Sequence, residues 1–436
     1  MNKFAKKLKN KLWNIIDKME MNQYMFVKKQ NKDFSRKRKL TFSTMIHLLL
    51  SMNGNTISKE LLDHFDYNVQ TATSSAFVQQ RSKIPVSALE FLFKEFNKEI
   101  QVKTLYNGYR LIAVDGSDIT YAANPKETNC YFKASKGVKG YNLIHMNACY
   151  DLLNRTYIDA YIQPRRNFDE YAAFTAMIDR YKREDKTIFI ADRGYESYNN
   201  FAHVTENGYN YLIRVKDLGS KSMTDSFSLP ETEFDVDIER LITRRQTNEI
   251  KRNPDKYKFL PRNSKFDYLP PGDKGTYKIK FRAVRIKLDE DKYECLITNL
   301  PREEFDTQTL KELYKMRWGI ETSFRELKYA IGLASFHSKK AEFVQQEIFA
   351  RLIMYNFCEI ITTNVIIRNK PRKHAYQANF TMAVNICKRF FRQRRCRTPL
   401  DVEALIQKYI LPIRKNRRYD INKRSKSAVS FIYRIA

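Results

Sequence analysis

Thr187-Ile188-Phe189-Ile190-Ala191-Asp192 runs five strand-forming residues into a carboxylate, with no polar alternation. Such a run reads as a strand covered on both faces, as in a sheet with helices packed above and below it. Leu111-Ile112-Ala113-Val114-Asp115 repeats the pattern. In open α/β sheets sites assemble at the carboxyl ends of strands, so Asp115 and Asp192 are expected to end two strands at one rim.

Working outward, strands are expected at Leu143–Tyr150 and Thr156–Gln163, a helix at Tyr171–Tyr181, a helix near Tyr198–Glu206 and a strand at Tyr209–Val215. Three strands, helix, strand, helix, strand is a mixed α/β arrangement. Residues 218–300 break that order with polar sequence, prolines (Pro230, Pro254, Pro261, Pro270, Pro271) and β-type runs at Thr276–Ile286 and Tyr293–Asn299, and read as a β-rich insertion. A long helical pattern then covers Thr307–Ile331, followed by helices at Ala341–Arg368, Thr381–Gln393 and Pro399–Tyr409. The expected organisation is thus 1–105 helical, 106–217 the first part of the core, 218–300 the insertion, 301–335 the helix that completes the core, and 336–436 helical and basic.

Within residues 1–105, patterns at Ser58–Phe65 and Ser74–Lys83 flank the polar stretch Asp66–Thr73. The pair fits a plain helix-packing unit. The alternative is a helix-turn-helix in which Gln79, Gln80, Arg81 and Lys83 reach a DNA groove, although the intervening loop is longer than the usual tight turn.

Charge narrows the partners. Lys and Arg number 79 against 49 Asp and Glu, a net charge of +30, and residues 1–40 and 388–424 each hold thirteen basic and three acidic residues. A polyanion such as nucleic acid fits this excess, as would the surface of a ribosomal or membrane-surface protein. No apolar run approaches the ~18 residues of a membrane helix, which argues against membrane insertion. The cysteines (Cys130, Cys149, Cys295, Cys358, Cys387, Cys396) are scattered without a C-x-x-C pair, and His374 is the only histidine near the last two, so they read as reduced thiols of a cytoplasmic protein and not as zinc ligands.

Phosphodiester chemistry at neutral pH needs hard cations to activate the attacking oxygen and to stabilise the leaving one, and a pair about 4 Å apart is held by a few carboxylates. A third carboxylate is therefore wanted beside Asp115 and Asp192. With about 100° per residue and Tyr314 at zero, Arg317 falls near 300°, Glu321 near 340° and Lys328 near 320°, a single arc of about 60°. Leu313, Met316, Ile320, Phe324, Leu327 and Ile331 fall between about 200° and 280°, a stripe suited to burial against the sheet. Two cations flanking Glu321 suit a group that ligates metal and grips phosphate. Taken singly, Arg317 with Glu321 reads better as a surface ion pair and each Asp as a turn or cap residue.

Taken together, Tyr314-x2-Arg317-x3-Glu321-x6-Lys328 resembles the Y-R-E-K signature of bacterial transposases of the insertion sequence four family, a branch of the DDE transposases. Asp115-Gly116-Ser117 and Asp192-Arg193-Gly194-Tyr195 are similar to the blocks that carry that family's first and second catalytic aspartates. The resemblance runs from about Phe34 to Asn385. It implies a ribonuclease H-like core in which Asp115, Asp192 and Glu321 hold Mg²⁺, with Mn²⁺ able to substitute, and a β-rich insertion before the glutamate.

It implies further that the chain binds the terminal inverted repeats of its element, cuts the ends and joins them to target DNA, working as a homodimer on two ends. Tyr314, Arg317, Lys328 and Arg193 would then contact phosphate, and Gln80, Arg81, Lys83 and the basic termini the flanking duplex. Family members often cut through a DNA hairpin with a flipped base held on an aromatic side chain. Tyr293 and Trp318 are candidates for that role, with core packing the simpler reading of each. Asp118 is expected to be a turn residue, the alternative being a fourth acidic neighbour of the site, and His145 and His337 to stand outside the chemistry. The rival readings are a nuclease that hydrolyses without joining, an inactivated transposase that only binds DNA, and an RNA-binding structural protein.

Overall fold

The computed structural model describes residues 3–413 apart from 37, 134–139, 220–222, 290–291, 366–374 and 394–399. The expected helix ends at Arg368 and Pro399, His374, Cys396 and the basic residues beyond 413 lie outside the described residues.

Five helices open the chain: α1 (Lys3–Met21), α2 (Phe42–Ser51), α3 (Ile57–His64), α4 (Ser74–Arg81) and α5 (Val86–Lys98). Thr41, Thr56 and Thr73 cap α2, α3 and α4, each accepting a hydrogen bond from the backbone N–H three residues on. Then come β1 (Arg110–Tyr121), β2 (Tyr131–Phe132), β3 (Tyr141–Asp151), β4 (Thr156–Pro164), α6 (Glu170–Arg180), β5 (Thr187–Ala191), α7 (Tyr198–Glu206) and β6 (Asn210–Val215). Residues 218–300 contribute β7 (Phe234–Thr243), α8 (Asn248–Arg252), β8 (Tyr257–Phe259), β9 (Thr276–Asp289) and β10 (Lys292–Thr298). The chain continues through α9 (Thr307–Met316), α10 (Trp318–Glu326), a π-turn at Leu327–Ile331, α11 (Ala341–Thr363), β11 (Tyr376–Ala378), α12 (Phe380–Arg392), α13 (Val402–Lys408) and β12 (Ile410–Pro412). The fold is mixed α/β.

One sheet runs in the order β2-β3-β1-β5-β6-β10-β9-β7-β8, with β4 pairing β3. β1 is antiparallel to β3 and parallel to β5, and β5 is parallel to β6. The strands of residues 218–300 join this same sheet through antiparallel pairing of β10 with β6. Side chains alternate between faces, as the pleat requires. Ile112, Val114, Phe189 and Ala191 bury with α6 and α7, while Leu111, Ile188 and Ile190 bury with α9 on the other face. This double burial is what the unbroken apolar runs demanded. Helix α11, buried along most of its length, is the axis of the larger core that α2, α5 and α12 pack around.

Three expectations need correction. β1 does not stop at Asp115 but continues to Tyr121, because β3 pairs with it all the way from Ile112 to Tyr121. Its parallel pairing with β5 does stop, at Val114 opposite Ala191, so Asp115 is the first residue of β1 without a β5 neighbour. Asp118 is consequently a strand residue in register with His145, not a turn residue.

The long helix expected at Thr307–Ile331 is also interrupted. Arg317 N–H bonds to Tyr314 O and Ile320 N–H to Arg317 O, a tightened turn that separates α9 from α10. The expected apolar stripe therefore divides: Leu313 and Met316 pack on the sheet, while Ile320, Phe324, Leu327 and Ile331 join the helical core around α11.

The third correction concerns α4. Gln80 and Arg81 are 5% and 2% exposed. Arg81 donates to Glu347 Oε1 (2.9 Å), Gln346 Oε1 (2.8 Å) and the carbonyl of Phe343. Arg81 thus docks α4 on α11, which is the packing alternative; with both side chains buried, the groove-reading role expected of Gln80 and Arg81 is not open in this geometry. Lys83 is half-buried, its ammonium 2.9 Å from Gln80 Oε1.

Candidate active site

Asp115 comes from β1, Asp192 from the residue that follows β5, and Glu321 from the first turn of α10. Adjacent parallel strands thus bring the two aspartates side by side, as their sequence positions require. Asp115 Oδ1 accepts from Gly116 N–H and Asp192 Oδ1 from Gly194 N–H, both at 2.8 Å, which fixes each carboxylate on its own backbone.

Arg317, buried at the tightened turn, links the third member to the first. Its Nη2 donates to Glu321 Oε1 at 2.8 Å and its Nη1 lies 3.7 Å from Asp115 Oδ2. The i, i+4 pair anticipated as a possible surface contact is therefore a half-buried bridge at the mouth of the site. Lys328, held on the π-turn, donates to Ser117 Oγ at 2.7 Å. Tyr314 Oη and Arg317 Nε are buried without a hydrogen-bond partner. Arg193 is exposed beside Asp192 and lines, with Arg214, Lys216 and Tyr293, a cleft of about 570 Å³ that opens from the end of β5. Trp318, 60% exposed, projects from the start of α10, whereas Tyr293 stacks on the Arg285 guanidinium.

Burial pushes the Asp115 carboxyl up to about 7, opposed by the Gly116 N–H and Arg317 and reinforced by the negative charges of Asp192 and Glu321. A carboxylate surrounded this way is short of positive charge. The donor set, three carboxylates from three elements, suits a hard divalent cation. Among the described residues no three His, Cys, Asp or Glu side chains already close on one ion position; Arg317 stands between Asp115 and Glu321.

A second layer escaped the sequence reading. His145, on β3 and 5% exposed, places Nδ1 2.8 Å from Asp118 Oδ1 and Nε2 3.1 Å from Glu170 Oε1. Arg165 Nε also holds Asp118, at 2.7 Å. Burial alone would lower the His145 pKa, but the two carboxylates outweigh it and the net shift is upward. Glu170 opens α6 directly after its cap Asp169, so in sequence it looks like an ordinary acid of a helix first turn. Only the pairing of β3 with β1 reveals that it faces the aspartates. Tyr195 registers the same convergence: burial raises its pKa, and Asp115, Glu170 and Asp192 all push the same way.

His337 is remote from this site, bound between Glu347 and the carbonyl of Asn55. The five described cysteines are free and buried. No helix among the described residues is long and apolar enough to cross a membrane.

The profile of the transposase DDE domain matches residues 106–357, which span all three carboxylates. The InsL protein of insertion sequence element IS186A from Escherichia coli (strain K12) is 34% identical over 75 residues, 17% of this chain and 20% of that protein. The transposase for insertion sequence element IS421 from Escherichia coli matches to the same extent, 34% over 75 residues. The match spans about a fifth of the length of these relatives. Among solved structures, a chain of the piggyBac transposase synaptic complex with hairpin DNA aligns with TM-score 0.46 at 12% identity, covering 91% of this chain and 83% of that one.

Proposed function

The chain belongs to the transposase DDE domain family, and from that premise we propose that it is a DNA transposase of an insertion sequence. In this reading it binds the terminal inverted repeats of its element as a homodimer, cleaves the ends and transfers the 3′ hydroxyls to target DNA. The observation that carries it is the meeting of Asp115, Asp192 and Glu321 from separate elements, with Arg317 bridging the first and third. The sheet order around β1 supports a ribonuclease H-like core: the antiparallel run β1-β3-β4 on one side and the parallel strands β5 and β6 on the other.

Asp115, Asp192 and Glu321 would hold Mg²⁺ or Mn²⁺, which supplies an acidified nucleophile and a Lewis acid at the scissile phosphate. The chain's own residues do the rest. The Gly116 and Gly194 N–H groups hold one oxygen of each aspartate and so aim the carboxylates. Arg317 places its terminal nitrogens on Glu321 and beside Asp115, with Tyr314 packed next to it. In a site shielded from water, the positive charge that Arg317 holds beside the carboxylates would stabilise charge developing on a phosphate oxygen. Lys328 adds a point charge near Ser117, and Arg193 extends positive charge into the adjoining cleft. Lys83 and the described part of the lysine-rich α1 supply sequence-independent contacts to flanking duplex.

The test is cleavage and joining of a labelled duplex bearing the element's terminal repeat, with Mg²⁺ or Mn²⁺, comparing the wild type with Glu321→Gln. Cut and joined products from the wild type, with equal DNA binding but no products from the variant, are expected. Binding by both with no reaction under any metal would leave a DNA-binding relic. Cutting without joining would leave a nuclease.

A further inference from the structure

Glu170 sits closer to the chemistry than its place at the start of a helix suggests. A Cβ on Gly116 would lie 2.8 Å from Glu170 Oε1 and 2.6 Å from His145 Nε2. The residue after Asp115 thus has no side chain because the Glu170 carboxylate and its imidazole partner lie directly over that backbone. On the other side, a Cβ on Gly194 would lie 2.9 Å from Asp192 Oδ1 and 3.7 Å from Glu170 Oε2. One carboxylate therefore spans the gap between the Asp115-Gly116 strand and the Asp192-Arg193-Gly194 turn, and both glycines keep that gap clear.

The two oxygens of Glu170 are differently placed. Oε1 is gripped by His145, itself anchored through Asp118 and Arg165. Oε2 has no hydrogen bond among the described residues and is the oxygen turned toward Asp192. The side chain keeps 31% exposure, so the site side is open to solvent and ions. Had Glu170 served only to neutralise His145 or to cap α6, neither an unengaged oxygen beside Asp192 nor a pair of side-chain-free positions around it would be needed. Asp169 already caps the helix.

We propose that Glu170 is a fourth oxygen ligand of the metal site, offering Oε2 next to Asp192 while His145 fixes its other oxygen. The assignment rests on the reading that Asp115, Asp192 and Glu321 bind divalent ions. A fourth carboxylate adds a hard donor and negative charge on the Asp192 side, away from Arg317, and an imidazole partner is a common means of orienting such a ligand.

Mn²⁺ binding to the full-length protein, without DNA, followed by electron paramagnetic resonance of the free ion, tests this directly. Glu170→Gln keeps the carbonyl oxygen that His145 holds and removes the charge. Its Mn²⁺ affinity is expected to fall about tenfold or more, with the metal-free thermal midpoint unchanged. Asp192→Asn and Glu321→Gln are measured alongside. Weaker binding in those two but wild-type affinity in Glu170→Gln would overturn the assignment and leave the metal reading intact. Wild-type affinity in all three would overturn both. A lowered metal-free midpoint with unchanged Mn²⁺ affinity would mark Glu170 as a structural partner of His145 only.

Discussion

Arg81 Nη1 and Glu347 Oε1 lie 2.9 Å apart, with both side chains 2% exposed. The pair ties α4 to α11, and Glu347 also holds His337 and Arg351. Removing one member of such a buried network leaves an uncompensated charge. Arg81→Ala is therefore expected to cost about 3–5 kcal/mol, read by urea denaturation. Once corrected for the folded fraction, its DNA affinity should match the wild type; a selective loss of affinity with stability intact would restore Arg81 to the DNA interface.

Glu359 supplies a pH dependence. Buried on α11 beside Arg155 and Glu326, its carboxyl is pushed up to about 7 by burial, with Arg155 opposing and Glu326 reinforcing. The ordinary value of 4.5 describes the unfolded chain. Between pH 4.5 and 7 the folded state therefore binds more protons than the unfolded one, so this contribution to stability is full below 4.5 and is lost as pH rises through 7. The displacement from 4.5 to about 7 sets a ceiling of about 3 kcal/mol on that contribution. Glu359→Gln should flatten that part of the stability profile, measured by denaturant midpoints from pH 4.5 to 8. An unchanged slope would show that Arg155 keeps Glu359 ionised throughout.

Arg317→Lys tests the bridge. Lysine keeps the charge but lacks the planar fork that reaches Glu321 and Asp115 together. Cleavage is expected to slow by about a hundredfold, the usual effect of losing one preset donor, with duplex affinity nearly unchanged in a gel-shift titration. Equal losses in binding and rate would make Arg317 a docking residue.

Gly116→Ala places a methyl within 2.6–2.8 Å of His145 Nε2 and Glu170 Oε1. Overpacking of this kind costs about 1–3 kcal/mol, visible as a lowered thermal midpoint, and the displaced aspartate strand should stop cleavage. A variant as stable and active as the wild type would mean that His145 and Glu170 give way freely.

What was legible in the sequence followed from periodicity and local chemistry. The runs before Asp115 and Asp192 lack polar alternation because both faces are covered, and those strands lie side by side. The spacing of Arg317 and Glu321 also led to a real contact. What was not legible depends on partners distant in sequence. A wheel drawn through Thr307–Ile331 assumes a uniform twist, and the turn at Arg317 removes that assumption by sending Leu313 and Ile320 into different cores. Arg81 reads as a surface cation until α11 supplies Glu347. Glu170 reads as a helix-start acid until β3 brings His145 across, and Asp118 reads as a turn residue until the same strand extends its pairing.

The antiparallel join of β10 to β6 carries a mechanical meaning. Because hydrogen bonds run without interruption from β2 to β8, the strands of residues 218–300 and the strands bearing the aspartates form one plank instead of a body and a flap. A load on the β7–β8 end of the sheet would pass through β9, β10 and β6 to the turn after β5, and so reach Asp192 without any hinge having to swing.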